Sequence, residues 1–233
     1  MDVARGPRKL GDRNPGEAMK LYNMNLSPFT GRCRILIYAK GLDVELVDPP
    51  GGVASDEYKT INPTGKVPAL ADSDFLLPES QTICEYLEGK YPERSLTPTD
   101  PQARAVSSLL CRVADHYIFP PMAALFGQLD PQGRDQAFVA DKIAELGPAF
   151  DLVEHWVQAG PHAVGNHLSL ADCALFPVYF FATKIVPQLG GPDLLATRPN
   201  TAAWWSGVVS DPAVAKVDAE MQAALATFIS SQN

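Results

Sequence analysis

Asn62-Pro63-Thr64-Gly65-Lys66-Val67-Pro68-Ala69-Leu70 is the stretch on which the fold turns. A proline inside a strand cannot donate to the ladder. Pro68 therefore marks an edge position or a cis peptide that turns the Val67 backbone outward, unless the segment is an ordinary entry from loop to strand. An exposed backbone edge of that kind can pair with a peptide ligand. Val67-Pro68-Ala69-Leu70-Ala71 and Phe75-Leu76-Leu77 flank Asp72-Ser73-Asp74, a pattern that predicts a tight hairpin.

Working outward, Met19 to Asn23 reads as a short strand. Ser27-Pro28-Phe29 opens a helix that carries Cys33, Ile35, Leu36, Ile37 and Tyr38, and Gly41 after Lys40 stops it. Val44-Glu45-Leu46-Val47 alternates as a second strand, and a loop with Pro49, Pro50, Gly51 and Gly52 precedes Tyr58. Beyond the hairpin, Glu79-Ser80 starts a helix through Ile83, Tyr86 and Leu87. The order is βαβ, then ββα, over residues 19–91. Pro92, Pro98 and Pro101 with polar neighbours predict a linker at 92–101. After it, helical spacing runs through 102–127, 134–159, 169–185 and 200–208, with breaks at Pro131, Gly160-Pro161, Gly190-Gly191-Pro192 and Pro199. Residues 102–233 are expected to form an all-α domain. Residues 1–18 carry Gly, Pro and charge without periodicity and are expected to be a flexible tail.

Composition narrows the function. The 233 residues are 46% hydrophobic, enough to bury a full core. Against 27 Asp+Glu stand 19 Lys+Arg, a formal charge of −8, and no basic cluster follows the first dozen residues, which argues against nucleic acid as a partner. Cys33, Cys84, Cys111 and Cys173 lie far apart within apolar helical patterns, with no metal-ligand spacing, and read as reduced core thiols of a reducing compartment. No apolar run of about 18 residues and no signal-type segment is expected, which predicts a cytoplasmic protein without a membrane partner.

Two helix starts are candidates for chemistry. Ser27 places a hydroxyl at a helix N-terminus where donors converge on an anion, with Pro28 suited to the first turn; alternatively Ser27 only caps the helix. Pro78-Glu79-Ser80 puts an acid and a hydroxyl at a second start. The free N–H groups there favour a carboxylate while Glu79 can accept an ammonium, a pairing that suits an α-amino acid head; simple capping is the alternative.

In this order and spacing, Ser27-Pro28-Phe29, Asn62 to Pro68 and Glu79-Ser80-Gln81-Thr82-Ile83-Cys84-Glu85-Tyr86-Leu87 resemble the cytosolic glutathione transferase superfamily from about Met19 to the C-terminus. The Ser-Pro-Phe start is similar to the serine-using classes, particularly the tau and zeta type. Ser169-Leu170-Ala171-Asp172 resembles the family's capping box in the helical domain, a folding element. The resemblance implies a thioredoxin-like α/β first domain followed by an all-α domain, and glutathione as co-substrate without a metal. By the same resemblance Ser27 hydrogen-bonds the glutathione sulfur. Pro68 is cis, Val67 pairs with the cysteinyl backbone, Glu79 and Ser80 hold the γ-glutamyl head, and Lys66 contacts a carboxylate.

A hydrophobic electrophile is expected on the helical side, where Arg112, Asp115, His116, Tyr117 and Phe119 precede Pro120-Pro121, with Phe29 closing the near side. Tyr117 and Phe119 as core and His116 as a surface histidine are the plain alternatives. The family implies a homodimer. It also leaves open a zeta-like isomerase, glutathione-dependent ether or halide cleavage, and a non-catalytic interaction module of the same fold. Relatives with cysteine in place of Ser27 run thiol-disulfide chemistry, and Cys33, well inside the helix, is no substitute.

Overall fold

A computed structural model describes residues 19–231, so the tail expected over residues 1–18 lies outside the described part. Four short strands, β1 (Met19–Tyr22), β2 (Val44–Val47), β3 (Ala69–Asp72) and β4 (Phe75–Pro78), form one mixed sheet in the order β2-β1-β3-β4. β1 and β2 are parallel because α1 (Pro28–Lys40) crosses between them, whereas β3 and β4 close as a hairpin antiparallel to β1. With α3 (Ser80–Lys90) packed on α1, this is a thioredoxin-like α/β domain.

α1 starts at an extended Ser27 with Pro28 in its first turn and ends at Gly41, whose left-handed φ of 64° lets its amide return to the Ile37 and Tyr38 carbonyls. Thr30 to Ile37 are all buried, since the helix lies between α3 on one side and helices of the second domain on the other. One element of this α/β domain departs from the sequence reading. The loop before Tyr58 contains a short helix, α2 (Asp56–Ile61), started by Ser55, whose hydroxyl accepts from the Tyr58 amide at 3.0 Å.

The helical part contains α4 (Pro101–Val113), a π-helical turn (Ala114–Ile118), α5 (Phe119–Phe126), α6 (Gln136–Trp156), α7 (Leu170–Gln188), α8 (Pro199–Val208) and α9 (Pro212–Ser231). The last of these, twenty residues long, was not distinguished in the sequence reading. α7 also corrects the expectation of no long apolar run, because its 19 residues are long and apolar enough to cross a membrane. It is instead the central core helix, with Leu170 to Ala182 buried without interruption. Asp172 sits at its start, fully buried, and accepts from Ser169 N at 2.8 Å, Ser169 Oγ at 2.7 Å, Ala163 N at 2.7 Å and Trp204 Nε1 at 2.8 Å. One carboxylate thus completes a capping box and ties the preceding loop and α8 to α7.

The segment between the two parts is pinned. Glu88 accepts from Lys40 Nζ and Ser95 Oγ at 2.7 Å each, from Leu96 N and Thr97 N at 3.0 Å each, and from Thr97 Oγ1 at 2.9 Å. Burial alone would raise its carboxyl, but these donors hold it below the usual carboxylate range.

Candidate functional site

The sheet register brings the three signature stretches to one end. Tyr22, the last residue of β1, pairs with Ala69, the first of β3, and Ala69 pairs with Pro78, the last of β4. The segment after β1 that leads to Ser27, the Val67-Pro68 peptide before β3 and Glu79-Ser80 after β4 therefore leave the same edge of the sheet. Two strand spacings separate the outer members, about 10 Å. Three extended residues span a similar length, roughly 10 Å.

Ser27 is half-buried, and its Oγ accepts from the Thr30 amide at 3.4 Å, at the outer limit of a hydrogen bond. Among the described residues its own proton is given to no acceptor. The turn beneath it is well tied, with Ser27 N donating to Met24 O at 2.9 Å and Thr30 Oγ1 to the same carbonyl at 2.6 Å. The serine is thus placed by its backbone, and its hydroxyl is uncommitted.

Val67-Pro68 is a cis peptide, and β3 is an interior strand, so the edge-strand alternative for Pro68 does not hold. Pro68 is buried, Val67 half-buried and Lys66 exposed. Asn62 and Tyr58 fix this stretch from behind, since Asn62 Nδ2 donates to Lys66 O at 2.7 Å and the Tyr58 hydroxyl to the same oxygen at 2.9 Å. Gly65 adopts φ 63° in the intervening turn, where an added Cβ would meet the Ala54 Cα at 3.3 Å.

Glu79 is exposed, has φ 70° and precedes α3 without bonding any helix amide through its side chain. The plain capping alternative fails for this residue. A positive φ at a non-glycine residue costs on the order of 1–3 kcal/mol and is found where surrounding structure imposes it, often at ligand sites. Ser80 is buried, and its carbonyl accepts from Cys33 Sγ at 3.5 Å, which docks the start of α3 on α1.

On the helical side, Phe29 and Phe119 meet edge to face with centroids 4.4 Å apart. Arg32, buried beside Phe29, makes a two-pronged ion pair with Asp115 on the π-helical turn, one prong at 2.9 Å. Asp115, read as a polar tip of the pocket, is committed to this pair. Burial works against the Arg32 cation, but Asp115 more than restores it and its pKa is raised. Arg112, His116 and Tyr117 are exposed, and among the described residues no hydrogen bond or ring contact joins them to Ser27 or Phe29. The π-helical turn is the local device here, since inserting one residue into a helix re-aims the side chains on it.

Apart from the Cys33 contact that docks Ser80, the cysteines take no part in this arrangement. All four are buried and unbridged. Burial pushes the Cys111 thiol up to about 12 and that of Cys173 well above its ordinary value, and the Cys33 contact together with burial does the same for Cys84. Among the described residues no group of three or more His, Cys, Asp or Glu is placed to hold a metal ion. Sequence reasoning missed a second buried arginine, Arg34, which grips the loop before Ser27 through Asn25 and pairs with Glu220 of α9. The only signal was two arginines flanking Cys33, next to the apolar run Ile35-Leu36-Ile37.

Comparison with known proteins identifies the family of both parts of the chain. Residues 21–95 match the family described as "Glutathione S-transferase, N-terminal domain", and residues 113–212 match "Glutathione S-transferase, C-terminal domain". Glutathione S-transferase F13 of Arabidopsis thaliana is 30% identical over 213 residues, covering 86% of this chain and 94% of the relative. The crystal structure of glutathione transferase F7 from Populus trichocarpa superposes with a TM-score of 0.74 at 27% identity, covering 88% of this chain and 99% of the other. The holo structure of maleyl pyruvate isomerase, a bacterial glutathione S-transferase in the zeta class, gives a TM-score of 0.71 at 26% identity over 85% of this chain and 95% of the other. With an α/β domain whose signature loops share one sheet end, a helical domain behind it and relatives matched over nearly their whole length, the chain belongs to the glutathione S-transferase family.

Proposed function

We propose that this transferase holds glutathione across the end of the sheet and uses Ser27 to stabilise its thiolate for attack on a hydrophobic electrophile. In this reading the Val67 backbone pairs with the cysteinyl residue beside Pro68. Glu79 and Ser80 take the γ-glutamyl head, and Lys66 reaches a carboxylate. The observation that carries it is the register Tyr22–Ala69–Pro78, which aligns the three loops over the length of a tripeptide.

A thiol of pKa about 8.5 is only about 3% thiolate at pH 7. A hydroxyl donating to that anion contributes roughly 1.5–3 kcal/mol, or about one to two pKa units. Ser27, whose proton goes to no acceptor among the described residues, suits this role without acting as a base. Nucleophilicity falls with pKa at a slope of about 0.4–0.5, so a two-unit shift that raises the thiolate population about 25-fold gives back about 8-fold in reactivity. Most of the acceleration must come from orienting the electrophile against the sulfur. The Phe29–Phe119 pair forms an apolar wall for it. The reaction is conjugation or glutathione-dependent ether or halide cleavage.

Ser27→Ala tests the reading: it should leave glutathione affinity nearly intact, cut turnover and raise the pH at which bound thiolate absorbance appears. An unchanged titration removes the role given to Ser27. Isomerisation is the second reading, favoured by the likeness to the zeta-class isomerase. A panel of electrophiles and cis-unsaturated acids separates the two, because isomerisation leaves glutathione unconsumed. Failure both to bind immobilised glutathione and to turn over any member of the panel would point to an interaction module. The protein is expected to work as a cytoplasmic two-fold dimer, and a monomeric mass in light scattering would refute the dimer.

A further inference from the structure

The loop that carries Ser27 is held by the last helix of the other domain. Arg34, buried on α1, donates from Nη2 to Asn25 O at 2.7 Å and from Nη1 to Asn25 Oδ1 at 3.2 Å. Asn23 Nδ2 donates to the same Oδ1 at 2.8 Å. The guanidinium also pairs with Glu220 on α9, whose other oxygen accepts from the Tyr38 hydroxyl at 2.9 Å. Lys216, also on α9, lies 3.7 Å from the Tyr38 ring centroid. Arg34 Nε is buried and has no partner among the described residues, so within them the cation is oriented through its two terminal nitrogens. Met24 and Asn25 are themselves exposed, and packing does little to hold them. What fixes them is directional bonding, from Arg34 on Asn25 and from Ser27 N and Thr30 Oγ1 on Met24 O.

We propose that Arg34, Tyr38 and Glu220 are positioning residues for Ser27: α9 aims the serine hydroxyl through the chain Glu220–Arg34–Asn25. The proposal rests on the thiolate role of Ser27 given above. The matched C-terminal domain ends at residue 212, where α9 begins, so Glu220 lies outside it. A hydroxyl hydrogen bond to an anion demands placement within about 0.5 Å and 10–20°. Burial opposes the charge on Arg34, and Glu220 is the anion that supports it. Without that anion the guanidinium turns toward other acceptors and releases the Asn25 loop.

Glu220→Gln keeps the size, removes the charge and leaves one acceptor oxygen where the carboxylate uses two, for Arg34 and Tyr38. The expected result is an upward shift of about 0.5–1 unit in the thiolate titration of the glutathione complex, which is about 3- to 10-fold less thiolate below the midpoint. The value of kcat should fall by about 2- to 4-fold, since a thiolate of higher pKa regains part of the loss in reactivity, while KM for glutathione stays within about twofold, the split expected when an interaction of the reacting state is lost. Tyr38→Phe should shift the midpoint less, in the same direction, and decides the matter if Glu220→Gln does not fold. Arg198→Gln is the stability control: it breaks contacts with Asp151, Gly147 O and Leu194 O within the helical part, and should lower Tm without moving the midpoint. In a Ser27→Ala background, Glu220→Gln should add no further shift. If Glu220→Gln lowers Tm but leaves the midpoint at the wild-type value while Ser27→Ala moves it, the positioning role is overturned and the Ser27 reading stands. If Ser27→Ala itself leaves the midpoint unchanged, both fall.

Discussion

Two serines occupy the same place in two helices of this protein and are treated in opposite ways. Ser169, at the start of α7, is buried to 1% exposure and gives both its amide and its hydroxyl to Asp172 at under 3 Å. Ser27, at the start of α1, is half-buried, and its hydroxyl has one 3.4 Å contact to its own helix. The motif at Ser169 is saturated internally and contributes to stability. The one at Ser27 leaves its hydrogen-bonding capacity to a ligand. Local sequence alone would rank both as helix caps, and their surroundings separate them.

The sharpest way to break the contrast is to empty the saturated motif. Asp172→Ala strands Ala163 N, Ser169 N and Trp204 Nε1 in the core, and each unpaired group costs about 1–3 kcal/mol. A loss above about 4 kcal/mol in urea unfolding is expected, with glutathione affinity of the remaining native protein unchanged. A loss of less than 1 kcal/mol would mean that the network is incidental.

Glu88 extends the comparison to a buried carboxylate that pins the connection between domains. Replacing it by Gln leaves Lys40 a buried cation without its anion, at an expected cost of about 3 kcal/mol near neutral pH. The sign of the pH dependence follows from its lowered pKa. The contribution is complete above the unfolded carboxyl value of about 4.3 and disappears as pH falls through the lower folded value. Stability of wild type and Glu88→Gln, measured from pH 7 to pH 3, should therefore converge at the acid end; a gap that stays constant would mean that the lost charge is not its cause.

Much of this was legible in the sequence where one residue type has one structural use. Gly41 stops α1, Asp72-Ser73-Asp74 closes the hairpin at Ser73-Asp74, Pro68 is cis, and the four cysteines are buried. Other features leave no such mark. α2 is six residues long and buries only Tyr58, too little for a helical period to emerge between the Pro/Gly loop and Asn62. A π-helical turn inside the continuous α4–α5 run shifts register without altering composition. The Arg34–Glu220 pair joins positions 186 residues apart, so no local pattern points from one to the other. The candidate site was readable to the extent that it lies in short loops at strand ends, whereas its support from α9 was not.

Within the capping box, Ser169→Ala removes a 2.7 Å bond from a hydroxyl that is almost fully buried and leaves Asp172 with three of its four donors. The expected loss is about 1–2 kcal/mol by chemical denaturation, below that of Asp172→Ala because only the Asp172 amide loses its cap, against three donors stranded there.

Ser27→Ala completes the series with the smallest expected effect on stability. An N-cap serine replaced by alanine costs between about 0.5 and 2 kcal/mol depending on how well its oxygen is engaged, and a 3.4 Å contact belongs at the lower end. The position of the loop survives the change, because Ser27 N and Thr30 Oγ1 still bond the Met24 carbonyl. A loss near 0.5 kcal/mol is therefore expected, measured beside Ser169→Ala in the same denaturant. The two serines then differ in kind: the one that matters least to folding is the one whose removal moves the thiolate titration. If Ser27→Ala costs as much stability as Ser169→Ala, the hydroxyl at position 27 is bound to its own helix as firmly as the one at 169, and too little of it remains to hold a sulfur anion.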